Sequence, residues 1–242
     1  MKLYDGIISD TLDVLSGFDA RGSVKRYPYK GSSWKDNGSS EFIMQRDVAL
    51  ELGAGGEPSV NYTLVTTSGI VTENETLVYG PDINEIHGNV SFARIVILET
   101  EDLEEDKDQE KAFAAIRNLE FVRYHVFPKG YMVRVSARSN QEQIRISQGA
   151  YLNGISFAKV GALYIRKYKE VSGVKNVRVV FITDRELVEK LMPNADKVDT
   201  ITKTLTHILD GMPTDCGHCS MKSVCDEVDG MRELHLGKMK KS

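Results

Sequence analysis

Positive charge is not in excess in this sequence. It has 31 Lys and Arg against 35 Asp and Glu, a formal net charge of −4. A general nucleic-acid binder shows the opposite balance. No apolar run reaches the ~18 residues expected of a membrane helix. The opening residues, Met1-Lys2-Leu3-Tyr4-Asp5-Gly6, lack the apolar core of a secretion signal. These absences predict a cytoplasmic protein with no nucleic-acid or membrane partner. The motifs G-x-S-x-G, P-loop and H-E-x-x-H are missing, which removes the common nucleophile, phosphate-loop and zinc-protease signatures. Gly53-Ala54-Gly55-Gly56 lacks the G-x-G-x-x-G spacing of a dinucleotide site. No internal repeat or low-complexity segment occurs. Cysteine is scarce, with three residues in 242. An odd count fits metal ligation better than a disulfide framework, and reduced thiols are the default.

Those three cysteines fall within ten positions, as Asp215-Cys216-Gly217-His218-Cys219-Ser220-Met221-Lys222-Ser223-Val224-Cys225. C-x2-C places two soft thiolates on one side of a tight turn, which suits zinc or an iron–sulfur cluster. His218 adjoins Cys219, and neighbouring residues rarely reach one ion together. His235 is the better fourth donor. Asp226, Glu227 and Asp229 follow the last cysteine closely. His87, His125 and His207 read as surface or hydrogen-bonded structural residues.

The chain ahead of this segment alternates strand and helix patterns. Residues 3–16 carry Leu3, Ile7, Ile8, Leu12 and Leu15 at helical spacing. Residues 19–40 read as a loop in which Arg26 and Lys30 stand among Tyr27, Tyr29 and Trp34, the only tryptophan. Such a mixture could hold a phosphate and stack a base. It also fits a solvated loop whose aromatics pin it to the body. A strand over 41–52 turns through the glycines into a hairpin with 60–67. Residues 76–79, 93–98, 131–136 and 174–183 read as strands. Asp82 starts a short helix through Ile86. Eight carboxylates and one lysine occupy 99–110, a solvated loop and helix start. Helices are predicted over 108–122, 139–147, 155–171, 185–192 and 196–209, with Asp184 as a cap, Gly161 for close packing and Pro193 as a breaker. The fold class that follows is α+β, a mixed β-sheet covered by helices. Residues 1–210 form its body, and 211–242 form a small Cys-rich appendage.

Four blocks carry a family resemblance: Gly80-Pro81-Asp82-Ile83-Asn84-Glu85, Val133-Arg134-Val135-Ser136, Phe157-Ala158-Lys159-Val160-Gly161-Ala162-Leu163-Tyr164 and Val177-Arg178-Val179-Val180-Phe181-Ile182-Thr183-Asp184. In order and separation they resemble the acetyl-CoA synthase (beta) subunit of the carbon monoxide dehydrogenase/acetyl-CoA synthase complex. The match runs from about residue 40 to 237, over that subunit's middle domain and the start of its iron–sulfur segment. The family pattern C-x2-C-x8-C-x9-C implies a [4Fe-4S] cluster on Cys216, Cys219 and Cys225. Cys225 aligns only after deletion of three residues, and His235 stands in place of the fourth cysteine. Zinc on the same four donors is the alternative. The nickel-binding Cys-Gly-Cys is absent from the sequence given. The resemblance therefore implies a shortened protein with an accessory or electron-transfer role in the one-carbon and CoA metabolism of an anaerobe, rather than complete acetyl-CoA synthesis. If it is an enzyme, the resemblance implies an acetyl-CoA synthase-like acyltransferase acting with partner subunits. Carbon monoxide dehydrogenase/acetyl-CoA synthase subunits or a corrinoid protein are the implied partners. CoA is a candidate ligand of Arg26, Lys30 and Trp34. The second function class is a protein-binding or assembly module with a structural Cys3His zinc site.

Overall fold

The computed structural model describes residues 3–19, 24–101, 109–135 and 141–210. The order of elements is α1 (Asp5–Asp19), β1 (Lys25–Pro28), β2 (Val48–Leu52), β3 (Ser59–Thr66), β4 (Glu75–Tyr79), β5 (Phe92–Thr100), α2 (Gln109–Phe121), β6 (Tyr131–Val135), β7 (Glu142–Ser147), α3 (Gln148–Leu152), α4 (Phe157–Tyr168), β8 (Val174–Ile182) and α5 (Arg185–Leu209). Five strands form a mixed sheet in the order β1-β4-β8-β5-β3, and three form a second sheet, β2-β7-β6. The α+β expectation with a mixed sheet is met. The Cys-rich appendage, 211–242, lies outside the described residues.

β5 is buried along its whole length, so its apolar run needs no alternation. It sits between β8, antiparallel, and β3, parallel. One face of this sheet carries α1 and α5: Tyr62 Oη meets Thr11 Oγ1 at 3.1 Å, and Asn194 Nδ2 donates to Thr11 Oγ1 at 3.2 Å. The ring of Phe18 packs edge-on to Tyr79. α4 covers the other face. There Phe157 stacks on Phe181 at 4.7 Å, and Gly161 sits against Thr76. Strand alternation explains the division, since Thr76 and Tyr79 point to opposite faces.

Gly161 is held by that contact. A Cβ there would stand 2.2 Å from Thr76 Oγ1. Gly161→Ala gains ~1 kcal/mol of helix propensity, but overpacking costs ~1–3 kcal/mol, and so short an approach lies at the upper end. We expect net destabilisation of ~1–2 kcal/mol in urea unfolding, partly relieved by adding Thr76→Ala. A Gly161→Ala protein as stable as the parent would contradict the packing account.

Five expectations are corrected. Residues 19–40 contain a strand, β1, which pairs antiparallel with β4. The strand predicted from 41 begins at Val48, after a 3-10 turn at Gln45–Asp47. The hairpin does not form: β2 pairs with β7 and β3 with β5, in different sheets. Residues 142–147 are a strand, β7, not a helix. Glu142, Ile144 and Ile146 are buried in alternation, and that period of two prevails. Finally, Pro193 does not end a helix. α5 runs through it because Leu187, Leu191, Asn194, Val198, Ile201 and Leu205 continue one buried stripe. Packing of that stripe outweighs the lost backbone hydrogen bond.

Candidate functional site

Three of the four blocks that carry the family resemblance meet one another in space; the remaining one begins in β6, in the smaller sheet. Asp82, at the end of β4, accepts Ile83 N at 2.7 Å and Phe157 N at 2.8 Å through Oδ1. It therefore caps a 3-10 turn and the start of α4 together. Glu85 closes a capping box by accepting Asp82 N. Thr183 Oγ1 donates to Pro81 O at 2.8 Å, directly against Gly80. Gly80 has φ +95°, and a Cβ there would lie 2.7 Å from Thr183 Oγ1. Burial pushes the Asp82 carboxyl upward, and the bonds from Phe157 and Ile83 oppose that shift. These residues hold β4, β8 and α4 together.

Beside this junction lies a pocket of about 200 Å³. Its floor is Thr76 with Ala158 and Ala162 of α4, whose small side chains leave the space open. Tyr27 forms one wall, placed opposite Thr76 by the β1–β4 register. Lys30 and Lys159 line it as well. Backbone bonds fix the loop after β1: Tyr29 N donates to Asn74 O, Asn37 N to Phe127 O, and Lys129 N to Lys35 O, each at 2.9 Å. Trp34 Nε1 donates to Lys129 O at 2.9 Å. Lys159 Nζ stands 5.0 Å from the Trp34 ring centroid and donates to Gly154 O.

The three loop residues thus part company. Lys30 is exposed at the pocket, with no ion pair to a described residue. Trp34 is half-buried behind Lys159. Arg26 faces Asp19 of α1 at 3.4 Å and Glu75 at 3.7 Å, on the side of β1 away from Tyr27. Glu75 is held also by Arg178 at 2.7 Å. Lys159, on helix α4, is turned to the pocket. No sequence signal placed it there, because its position depends on α4 facing the loop after β1.

A second constellation was missed altogether. Arg94 interrupts the apolar run of β5 and is 1% exposed. Its Nη2 donates to Glu142 Oε2 of β7 at 2.7 Å and to Asn61 Oδ1 at 3.1 Å, and Nη1 donates to Tyr164 Oη. Its guanidinium lies 4.8 Å from the Tyr164 ring centroid. Arg123 joins the same group through Glu120 at 3.0 Å and through Asn61. Burial works against the Arg94 charge, but Tyr164 and Glu142 outweigh it and hold the group protonated. Burial raises the Glu120 carboxyl, and Arg123 opposes the rise. The cluster joins the two sheets. A charge inside Ala-Arg-Ile-Val-Ile-Leu was its signal in the sequence.

Buried phenols add an alkaline liability. Burial, then the negative Asp19, pushes Tyr79 up to about 12. Burial also raises Tyr4, Tyr62 and Tyr168. An unfolded phenol releases its proton near pH ~10. Above that pH the native state retains protons that the unfolded state has lost, so stability falls as pH rises from about 10 toward 12. Below pH ~10 the contribution is intact. Urea midpoints should drop over this window, less steeply in Tyr79→Phe. A flat profile to pH ~12 would contradict the burial of these phenols.

Among the described residues, no group of three or more His, Cys, Asp or Glu could hold a metal ion. Cys216, Cys219, Cys225 and His235 lie outside those residues. No described helix is long and apolar enough to cross a membrane.

Comparison with known proteins bears on residues 37–188 of the body. The acetyl-CoA decarbonylase/synthase complex subunit beta of Archaeoglobus fulgidus is 28% identical over 159 residues, which is 63% of this chain and 28% of that protein. The chain therefore spans less than a third of that relative's length. A sequence model of the CO dehydrogenase/acetyl-CoA synthase complex beta subunit matches residues 37–188, from the loop after Trp34 through β8 into α5. With more than half its length covered, this chain belongs to the CO dehydrogenase/acetyl-CoA synthase complex beta subunit family.

Proposed function

We propose that this family member binds a [4Fe-4S] cluster through Cys216, Cys219, Cys225 and His235. Its role on this reading is accessory or electron-transferring, in one-carbon and CoA metabolism. The observation that carries the reading is the confinement of all three cysteines to ten positions in a chain of this family. Three thiolates and an imidazole are a chemically suitable donor set, since histidine replaces cysteine on iron in some clusters. The group would supply one-electron chemistry. Asp226, Glu227 and Asp229 add negative charge close by, which disfavours the reduced form and lowers the potential. Because the A. fulgidus relative is named as a subunit of a complex, subunits of such a complex are the proposed partners. A corrinoid protein is a further proposed partner, and any acyl transfer would take place together with partner subunits. The test is anaerobic purification with a visible spectrum. A coloured protein bleached by reductant is expected, and His235→Ala should lose cluster. Full cluster content in His235→Ala would remove that ligand.

The second reading, an assembly module with a structural Cys3His zinc site, is favoured by the same donors, which suit tetrahedral zinc. A colourless protein with one zinc per chain would establish it.

CoA is the proposed ligand of the pocket loop, with Lys30 as the phosphate contact and Trp34 as the aromatic contact. Lys159 is the further cation beside it, and Arg26, engaged by Asp19 and Glu75, would act from outside the pocket. Lys30→Ala should weaken CoA binding about 10- to 150-fold, as one charge-assisted bond to phosphate is worth ~1.5–3 kcal/mol. Titration of Trp34 fluorescence measures this. Unchanged affinity in Lys30→Ala, or no binding by the parent, would end the proposal.

A further inference from the structure

Among the described residues, three buried polar atoms in the Arg94 cluster have no hydrogen-bond partner: Glu142 Oε1, Arg123 Nε and Tyr131 Oη. They come from β7, from the turn after α2 and from β6. Their neighbours are already committed. Glu142 Oε2 is taken by Arg94. The two terminal nitrogens of Arg123 serve Glu120, Asn61 and Tyr124. Arg123 Nη1 stands 3.9 Å from Glu142 Oε1, too far for a hydrogen bond. Tyr131 faces Arg94 and Glu142, but its Oη makes no hydrogen bond of normal geometry. Orphaned atoms of this kind are rare in native interiors, and a polar gap beyond hydrogen-bond reach is where an ordered water sits.

The chemistry of the three atoms restricts what could satisfy them. Glu142 Oε1 only accepts, Arg123 Nε only donates, and Tyr131 Oη does either. The ligand must therefore both donate and accept. Two guanidiniums and two carboxylates balance in charge, so neither an anion nor a cation is favoured. The group is also enclosed, since Tyr131 and Glu142 are 3% and 5% exposed. We propose that an internal water molecule binds here, donating to Glu142 Oε1 and accepting from Arg123 Nε and Tyr131 Oη. Buried waters typically make about three such bonds. This one links β6 and β7 to the turn after α2. The smaller sheet is thereby tied to the rest of the body beyond the direct Arg94–Glu142 bridge.

A crystal structure of the full chain, at a resolution that shows ordered solvent, tests this. The expected result is a solvent peak within about 2.6–3.2 Å of Glu142 Oε1 and of at least one of the other two atoms. In Tyr131→Phe the peak should persist with larger displacement. Ordered side chains with no peak would overturn the proposal, as would a direct bond of Tyr131 or Arg123 Nε to Glu142 Oε1. Oxygen-17 relaxation dispersion in solution gives a second reading. A long-lived water component should shorten its residence time in Tyr131→Phe, and identical dispersion in both proteins would overturn the proposal.

Discussion

Cys216→Ser should strip most bound metal from the protein while leaving its body folded, and Cys219→Ser and Cys225→Ser should do the same. A serine hydroxyl is a far poorer ligand for soft metal than a thiolate. Loss of a group that only supports a ligand costs ~10–100-fold in affinity, so loss of a ligand should exceed that. The body has its own core: β5, β8, α4 and α5 contribute Ile95, Leu98, Val180, Leu163 and Leu191, all buried without any cysteine. Circular dichroism should therefore match the parent. Metal analysis after desalting reads the effect. Full metal content in Cys216→Ser would remove that residue from the site and undermine the C-x2-C reading.

Glu142→Ala should destabilise the fold by ~3–5 kcal/mol, because it leaves Arg94 charged, buried and deprived of its carboxylate. Domains of this kind have ~5–15 kcal/mol in total, so the loss is a large fraction of stability. Arg94 cannot escape by moving to solvent, being enclosed by Tyr164, Asn61 and the sheet itself. Removing both charges should be much milder. Arg94→Met with Glu142→Leu keeps volume and removes the uncompensated charge, and such replacements are often neutral or stabilising. Urea unfolding of both proteins distinguishes them. If Glu142→Ala lies within ~1 kcal/mol of the parent, or if the double variant is no better, the bridge is not what joins the two sheets.

The same network shows which parts of the molecule were legible from sequence. β5 was visible because a fully buried strand reads as a near-continuous apolar run, β8 because its second half, Val179–Ile182, is such a run, and α4 because its apolar stripe keeps helical period. Asp82 and Asp184 were visible as caps, and both accept the backbone bonds that caps should accept. β1 was hidden because Lys25-Arg26-Tyr27-Pro28 is a short edge strand with no long period to read. The hairpin was a local inference from glycines, whereas β2 and β3 find their partners far along the chain. Pro193 was read by its backbone chemistry alone, and the stripe from Leu187 to Ile208 decided otherwise. Of the candidate site, Lys30 and Trp34 could be proposed from composition. Lys159 and Arg94 could not, since their roles depend on which elements face each other.

The family assignment and the donor set lead to one central claim, that a [4Fe-4S] cluster is held by the segment from Cys216 to His235. Iron and acid-labile sulfide, measured together on the full chain purified without oxygen, test it most directly. The account predicts about four of each per chain, falling together in Cys216→Ser. Zinc at one per chain with no sulfide would contradict it.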